Sequence, residues 1–600
     1  MNDISSFVNP HNEYTVRRQE RQGRATHYNN LHMRIGTIRL VTFLIGVGLA
    51  WFLVRPGLLS SWWLTIPLAV FPALVVLHER VRRLARLAQR SVAFYEKGLA
   101  RLEDRWSGQG TAGSDLLKGP HAYAHDLDLF GHGSLFELLC LARTQGGEAT
   151  LASWLCNPAT PDEIRARHAA IVELRPEVDL REDLALQGDD VRAASHPDTL
   201  TAWATAPPFS RLLPVRCLAA LLAVFLVTSL TGWLLQWFGP IPFYLAILLA
   251  VLFVVRVRPR VQRVINEIAW ATRELSLLAQ ILACIERQHF TSPRLATLQM
   301  ALHTERVPSS QRITQLRRRL TLLESSKNQI FIPIALLLLW DVQLALAIES
   351  WRIATGPAIG RWLAAVGEFE ALCSLAGYAY EHPDDPFPDI VDGKPCFEGE
   401  GLGHPLLPIT RCVRNNIHLG GQLRVLIVSG SNMSGKSTLL RTVGSNAVLA
   451  LAGAPVRAQR LRLSPLAVGS TIRVQDSLQE GSSRFYAEVS RVGLLMDIAK
   501  GPLPLLFLLD EIFHGTNSHD RRVGAEAVVQ SLVKRDAIGL VTTHDLTLAS
   551  IAETLSPRAV NVCFEDQFEN GKLVFDYQMR PGVVQKSNAL ALMRSVGLEV

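Results

Sequence analysis

No C-x-x-C pair occurs among the eight cysteines of this 600-residue sequence (positions 140, 156, 217, 284, 373, 396, 412 and 563), and no His/Cys cluster falls at ligand spacing. That pattern argues against a structural zinc and for a reducing compartment. Charge is scarce as well. Asp, Glu, Lys and Arg make up 19 % against 48 % apolar residues, and the mean hydropathy is +0.17, a balance too apolar for an ordinary soluble protein. The first thirty positions hold no apolar run, so a cleavable signal peptide is not expected. The net charge of +7 suggests nucleic acid at first. However, many of the arginines crowd beside hydrophobic stretches, where membrane topology alone accounts for them.

Four uncharged apolar runs are present, in two pairs. Leu40–Val54 and Leu58–Leu77 flank the turn Arg55-Pro56-Gly57, and Cys217–Trp237 and Ile241–Val255 flank Phe238-Gly239-Pro240. The second and third runs have the roughly 20 residues needed to cross about 30 Å of hydrocarbon. The first and fourth are shorter and span if Arg39 and Arg256 snorkel. The alternative, buried hairpins in a soluble protein, fits less well with Trp62, Trp63, Trp233 and Trp237 at interfacial positions. Arg17, Arg18, Arg21, Arg24 and Arg34 precede the first pair, and Arg80, Arg82, Arg83 and Arg86 follow it. Arg211 and Arg216 precede the second pair, and Arg256, Arg258, Arg260 and Arg263 follow it. By the positive-inside rule both hairpins leave the cytoplasm and return, a multi-pass protein with four spans whose N-terminus and soluble regions are cytoplasmic.

Between the hairpins, residues 84–210 read as mostly helical, and Asp126 and Asp128 in the stretch 121–136 read as caps ahead of a helix. After the second hairpin, Val261, Val264, Ile268, Ala271, Leu275, Leu278, Leu282 and Ile285 form a heptad seam. A second helix, with Ile313, Leu316, Leu320 and Leu323, is expected from near Gln311 after only a short turn containing Pro308-Ser309-Ser310. Arg306, Arg312, Arg317, Arg318 and Arg319 cluster near the far end of this rod, where they could hold phosphates or form a solvated face. The run Ile330–Leu339 is too short to span and reads as a buried helix segment.

From about Arg424 strands alternate with helices, as a parallel α/β sheet requires. VLIVSGSNMSGKST (425–438) is an apolar strand, a glycine-rich turn and a helix start, the context in which G-x-x-x-x-G-K-S is a P-loop for ATP. Gly430, Ser431, Asn432, Met433, Ser434, Gly435, Lys436, Ser437 and Thr438 are the expected nucleotide-binding residues. Lys436 is set to neutralise the β and γ oxygens, and Ser437 to ligate Mg²⁺. LLFLLDE (505–511) puts two carboxylates at a strand end. Asp510 there would hold the Mg²⁺ shell, and Glu511 would orient and deprotonate the attacking water. His544, in GLVTTHD (539–545), ends a further strand within reach of the γ-phosphate.

GSNMSGKST, GSSRFYAE (481–488), LLDEIFHGTNSHD (508–520) and TTH (542–544), in that order and spacing, resemble the ATPase domain of the MutS family of DNA mismatch-repair proteins, which are ABC-type ATPases. This likeness covers roughly 400–600. A weaker one over 126–171 resembles the start of the MutS core, including a T-x-x-G turn, and the rod at 261–352 would then be lever helices. The resemblance implies that Ser483 in the signature segment reaches the γ-phosphate of a partner subunit. It also implies that Asn517 to Asp520 cross the dimer interface, that His544 is a switch histidine, and that Asp476 is the acidic residue of the preceding loop. A homodimer is therefore expected.

The sequence departs from the family in three places. A membrane hairpin stands where the mismatch-reading domain would be, and the letters of Phe94-Tyr95-Glu96 match the family's reader only by coincidence. The turn at 304–310 leaves no room for a DNA-gripping clamp. Cys412 falls where an adenine-stacking aromatic is common. The fold class expected is therefore multidomain: α-helical membrane hairpins with a helical core and lever region, followed by a C-terminal α/β P-loop ATPase. The segments are an N-terminal segment 1–36, hairpin 37–78, core 79–210, hairpin 211–256, levers and core 257–395, and ATPase 396–600. The function expected is a membrane-anchored ATPase driving a DNA-binding clamp, with DNA implied by resemblance only. The alternative is a nucleotide-switched membrane scaffold for protein partners.

Overall fold

The computed structural model describes residues 9–53, 61–117, 119–187, 197–207, 212–304, 307–326, 331–473, 484–513, 518–545, 548–569 and 572–584. A helical N-terminal region leads into α/β sheets. In chain order the helices are α1 (Pro10–Leu53), α2 (Thr65–Leu102), α3 (Leu135–Leu139), α4 (Gln145–Cys156), α5 (Pro161–Leu174), α6 (Val178–Leu186), α7 (Pro197–Thr205), α8 (Leu212–Leu234) and α9 (Ile241–Glu286). Then come α10 (Pro293–Ala301), α11 (Ser309–Ser325), α12 (Ile332–Leu337), α13 (Trp340–Glu381), α14 (Lys436–Ala452), α15 (Arg484–Ile498), α16 (Ser518–Lys534) and α17 (Ile551–Thr554). The chain divides into two compact units, one of residues 1–140, 158–161 and 377–600, the other of 141–157 and 162–376.

In the first unit, α1 and α2 form an antiparallel hairpin, and the helix begins well before the apolar run. Leu40, Phe43, Leu44, Ile45, Val47, Trp51, Trp62, Trp63 and Leu68 are exposed, so none of the described residues covers the apolar surface of this hairpin. Its polar end is packed. Tyr14 is buried against Tyr95 and Tyr380, and Glu381 accepts from the Tyr14 hydroxyl (3.3 Å) and from Arg101 Nε (2.7 Å). Phe94 and Tyr95 are core residues here, in keeping with a chance match to a reader motif.

The α/β part of this unit holds two sheets. The strands are β3 (Asp389–Ile390), β4 (Phe397–Leu402), β5 (Asn415–Leu419), β6 (Val425–Ser429), β7 (Arg460–Leu463), β8 (Ala467–Thr471), β9 (Leu505–Asp510), β10 (Ile538–Thr543), β11 (Ala559–Glu569) and β12 (Lys572–Pro581), following a two-residue ladder, β1 (His303–Thr304) with β2 (Val307–Pro308), in the other unit. The larger sheet has the order β12-β11-β6-β10-β9-β8 and is parallel apart from β12. Continuous runs such as VLIVS and IGLVTT are buried along their whole length, as strands covered on both faces must be. The smaller sheet, β3-β7-β4-β5, is mixed.

Asp126 and Asp128 cap no helix. The following helix, α3, is capped by Ser134. Asp126 is buried and accepts from Ser470 Oγ (2.6 Å), Ile472 N (3.1 Å) and Arg473 N (3.2 Å), just past the end of β8. Asp128 pairs with Arg473 and Arg441. The backbone ends β8 with open N–H groups, and a buried carboxylate 346 residues from the first of them satisfies them better than a local cap could.

In the second unit, α8 and α9 form the other hairpin, with Leu213, Leu221, Val224, Ile241, Leu248, Val251 and Leu252 exposed. Among the described residues, four helices are long and apolar enough to cross a membrane, by length and composition: 10–51, 62–102, 213–234 and 241–286. The heptad seam packs as expected, α9 against α11 through Ile313, Leu316, Leu320 and Leu323. The link between them is longer than a turn, because α10 and the β1–β2 ladder intervene. Ser292 accepts from Leu295 N at the start of α10, with Pro293 in the first turn, a helix-start signal that was present in the sequence. The segment Ile330–Leu339 also departs from expectation, since α12 has no buried residue.

The T-x-x-G turn is an N-cap. Thr144 accepts from Gly147 N (3.0 Å) and leads α4. Glu370 on α13 in turn accepts from Arg143 N (3.1 Å), Thr144 N (3.2 Å) and Thr144 Oγ1. Burial pushes the Glu370 carboxyl up to about 7 from 4.5, against the pull of those donors. Its folded value is raised, so its contribution to stability is complete below about pH 4.5 and fades as pH rises through about 7. Thermal unfolding of the solubilised protein should therefore occur at lower temperature at pH 8 than at pH 5.5, and Glu370→Gln should flatten that slope. An unchanged slope in the variant would assign it to other groups.

Candidate functional site

The carboxyl ends of three neighbouring strands meet at one level. The register sets Thr543 of β10 beside Ser429 of β6, and Thr542 beside Asp510 of β9. The segments that leave those strands, Gly430–Ser437, Asp510–Glu511 and His544, therefore converge where open α/β sheets hold ligands.

The 430–437 loop turns through left-handed backbone at Met433 (φ 70°) and Gly435 (φ 102°) before α14 begins. Gly435 takes a conformation that side chains other than glycine resist, and a Cβ there would sit 3.1 Å from the Tyr577 ring. Such a turn followed by a helix N-terminus directs amides and a positive dipole end at one point. Among the described residues the buried hydroxyls of Ser431 and Ser434 in this loop have no hydrogen-bond partner. Lys436 is buried, and its Nζ donates to the carbonyls of Gly430 and Ser431 (2.8 Å each). Burial lowers the Lys436 pKa, opposed by the nearby Glu511 and Asp510 charges.

Glu511 sits between two nitrogens, 3.7 Å from Lys436 Nζ and 3.1 Å from His544 Nδ1. Its own backbone is left-handed (φ 46°), which turns the side chain off the strand direction, and its N–H is held by Thr542 Oγ1 (3.2 Å). The same Thr542 hydroxyl donates to Asp510 Oδ1. One threonine thus holds the Asp510 carboxylate and the Glu511 backbone. A cavity of about 550 Å³ opens over this group, lined by Asn432 to Thr438, Asp510 and Glu511. Ser437 and Asp510 share that lining, and an oxygen pair of hydroxyl and carboxylate suits Mg²⁺.

The far wall is built from residues that no sequence motif singled out: His404, Leu407, Arg411, Val413, Asn415, Phe564 and Tyr577. Burial, with the Arg441 charge, holds the His404 pKa at about 4, so it is neutral at physiological pH. Tyr577, 44 % exposed at the mouth, is tied down through Asn415, whose Nδ2 donates to the Tyr577 carbonyl (3.0 Å). Cys412 does not face the cavity. Its sulfur accepts from His404 N (3.2 Å) within its own loop, so a planar ligand would find Tyr577 and Arg411 there instead. Ser483, Asp476 and Asn517 lie outside the described residues, whereas Asp520 is exposed in the first turn of α16.

Residues 426–599 match the family model described as MutS domain V. The chain is 32 % identical over 271 residues to "Endonuclease MutS2" of Thermus thermophilus, an overlap of 43 % of this chain and 33 % of that protein. It is 29 % identical over 270 residues to "DNA mismatch repair protein MSH6" of Arabidopsis thaliana, covering 42 % of this chain and 20 % of the relative. It is 28 % identical over 274 residues to "DNA mismatch repair protein MutS" of Myxococcus xanthus, covering 43 % and 29 %. The match thus spans a third or less of each of these curated relatives.

Proposed function

We propose, from the match of residues 426–599 to the family model described as MutS domain V, that this chain is a membrane-anchored MutS-like ATPase that binds and hydrolyses ATP at a homodimer interface to drive a helical clamp. The observation that carries the ATPase reading is the convergence of Lys436, Asp510, Glu511 and His544 at adjoining strand ends beside the 430–437 loop. The loop amides and Lys436 would bind the β and γ phosphates. Glu511 takes the proton of a water whose oxygen bonds to the γ-phosphorus, while the bond from that phosphorus to the bridging oxygen of ADP breaks. His544, at the same Glu511 Oε1 that Lys436 approaches, orients the carboxylate. Ser437 and Asp510 would hold Mg²⁺, which when bound neutralises phosphate charge. Ser483 of a second copy would complete the site, so turnover should rise with protein concentration.

Membrane anchoring is supported by the uncovered apolar faces of both hairpins and by Trp62, Trp63, Trp233 and Trp237, which are exposed near their ends. A reporter active only outside the cytoplasm should be active when inserted at Gly239 and silent at the C-terminus. Activity at the C-terminus would overturn both the span count and the orientation.

DNA as the clamp's ligand rests on the names of the relatives. The rod offers little for it. Arg306 lies outside the described residues, Arg312 is half-buried, and half-buried Arg319 donates to the Ala347 carbonyl (2.7 Å), leaving Arg317 and Arg318 exposed. Contacts of that kind are blind to sequence and weaken with salt, with a log–log slope of roughly −0.9 per phosphate. Two of them give about −1.8 in a salt series on matched and mismatched duplexes. A clear preference for mismatches would contradict this account. Complete absence of binding at low salt would favour the scaffold alternative.

A further inference from the structure

The connection between α11 and α13 combines features that a soluble surface does not explain. Its helix, α12, reads IPIALL, and Ile332, Ile334 and Leu336 are exposed, Leu336 by 69 %. The corner is nevertheless held firmly. Trp340 Nε1 donates to the Leu322 carbonyl (2.9 Å), tying the start of α13 to the end of α11, and the Phe331 and Trp340 rings meet edge to face at 5.5 Å. Pro333 stands in the first turn, where it costs no hydrogen bond. A rigid corner with an apolar face outward costs solubility unless something covers it.

Its position in the second unit indicates what covers it. α12 packs beside α8, the first helix of the apolar hairpin. The start of α8 comes near α11 at Arg216. Burial lowers the Arg319 pKa, and the next cause is the nearby charge of Arg216 in the first turns of α8. Arg317 and Arg318 on α11 are exposed about two turns from the end of that helix. The acidic groups on the same corner, Glu324 and Asp341, are exposed as well. From α11 towards α12 the solvent-reached side chains are thus two arginines, an acid at the end of α11, and then aromatic and bare aliphatic groups, and a bilayer likewise runs from headgroup through interface to acyl chain.

We propose that residues 331–340 are a further membrane-contacting element. The apolar face of α12 beds into the acyl boundary of the leaflet that α8 enters, the Phe331–Trp340 pair lies at the interface, and Arg317 and Arg318 face phospholipid phosphates. This rests on reading α8 and α9 as spans. It gives the arginines at the rod's end a partner, the bilayer, other than nucleic acid.

The full-length protein would be reconstituted in phosphatidylcholine vesicles with a minority of phosphatidylglycerol and a phosphatidylcholine carrying a diazirine in its acyl chain, irradiated, and mapped by peptide mass spectrometry. Adducts are expected within 213–234 and 241–255 and also within 331–340. Ile334→Asp combined with Leu336→Asp should reduce the 331–340 adducts at least about fivefold, since interfacial binding scales with apolar area, and should leave the spans labelled as before. Labelled spans with an unlabelled 331–340 would overturn the proposal and point to a second copy or another protein as the cover. Unlabelled spans would overturn the membrane reading itself, and the proposal with it.

Discussion

Glu511→Gln is expected to keep ATP and lose turnover by about 10²–10⁴-fold, the usual size of a general-base contribution. The carboxylate lies 3.1 Å from His544 Nδ1 and 3.7 Å from Lys436 Nζ, so an isosteric amide preserves its contacts and removes only its ability to take a proton. The variant should accumulate with ATP bound and, if the dimer closes on ATP, as a dimer. Lys436→Ala should behave differently, losing affinity first, because the ammonium acts on phosphates in the ground state as well. Filter binding and phosphate release on the two proteins, side by side, separate the effects. Normal phosphate release by Glu511→Gln would remove the water-activating role from this residue.

Asp126→Ala should destabilise the first unit by about 3–5 kcal/mol, the range for removing one partner from a buried charged network. Ser470 Oγ, Ile472 N and Arg473 N all donate to that carboxylate, and Arg491 lies 3.5 Å away. Without it two backbone N–H groups and a guanidinium lose their buried acceptor. The segment is also wedged tightly. A Cβ on Gly444 of α14 would fall 2.6 Å from Leu127, so the chain cannot shift to make good the loss. Denaturant unfolding followed by a probe within residues 377–600 would measure it. A change below about 1 kcal/mol, the scale of a solvated surface pair, would show the network to be dispensable.

The readable parts of the site were those carried by contiguous residues. A strand, a glycine turn and a lysine lie within fourteen positions (425–438), and Glu511 and His544 each follow an apolar run that can only be a buried strand. The far wall was not legible, because His404, Arg411 and Tyr577 come from a loop and a hairpin without periodicity and meet only through folding. Asp126 was misread for a related reason. Nothing local distinguishes a cap from a long-range acceptor. α12 exposes another limit: an apolar run has the same letters whether protein or lipid faces it, and only the packing of its neighbours separates the two.

Glu381 bears on modularity. Along the chain the first hairpin looks detachable, a tether that a shorter gene could omit. In space, residue 381 receives Tyr14 from the first helix and Arg101 from the second, so the hairpin and the end of α13 share one core. A chain begun after the hairpin would strip that carboxylate of both partners and uncover Tyr380 at the end of α13, which now packs on Tyr14. Soluble fragments therefore need a cut that keeps both helix ends, or a neutral residue at 381. By the same logic, gene fusions that exchange this hairpin for another segment would have to bring their own partners for Glu381.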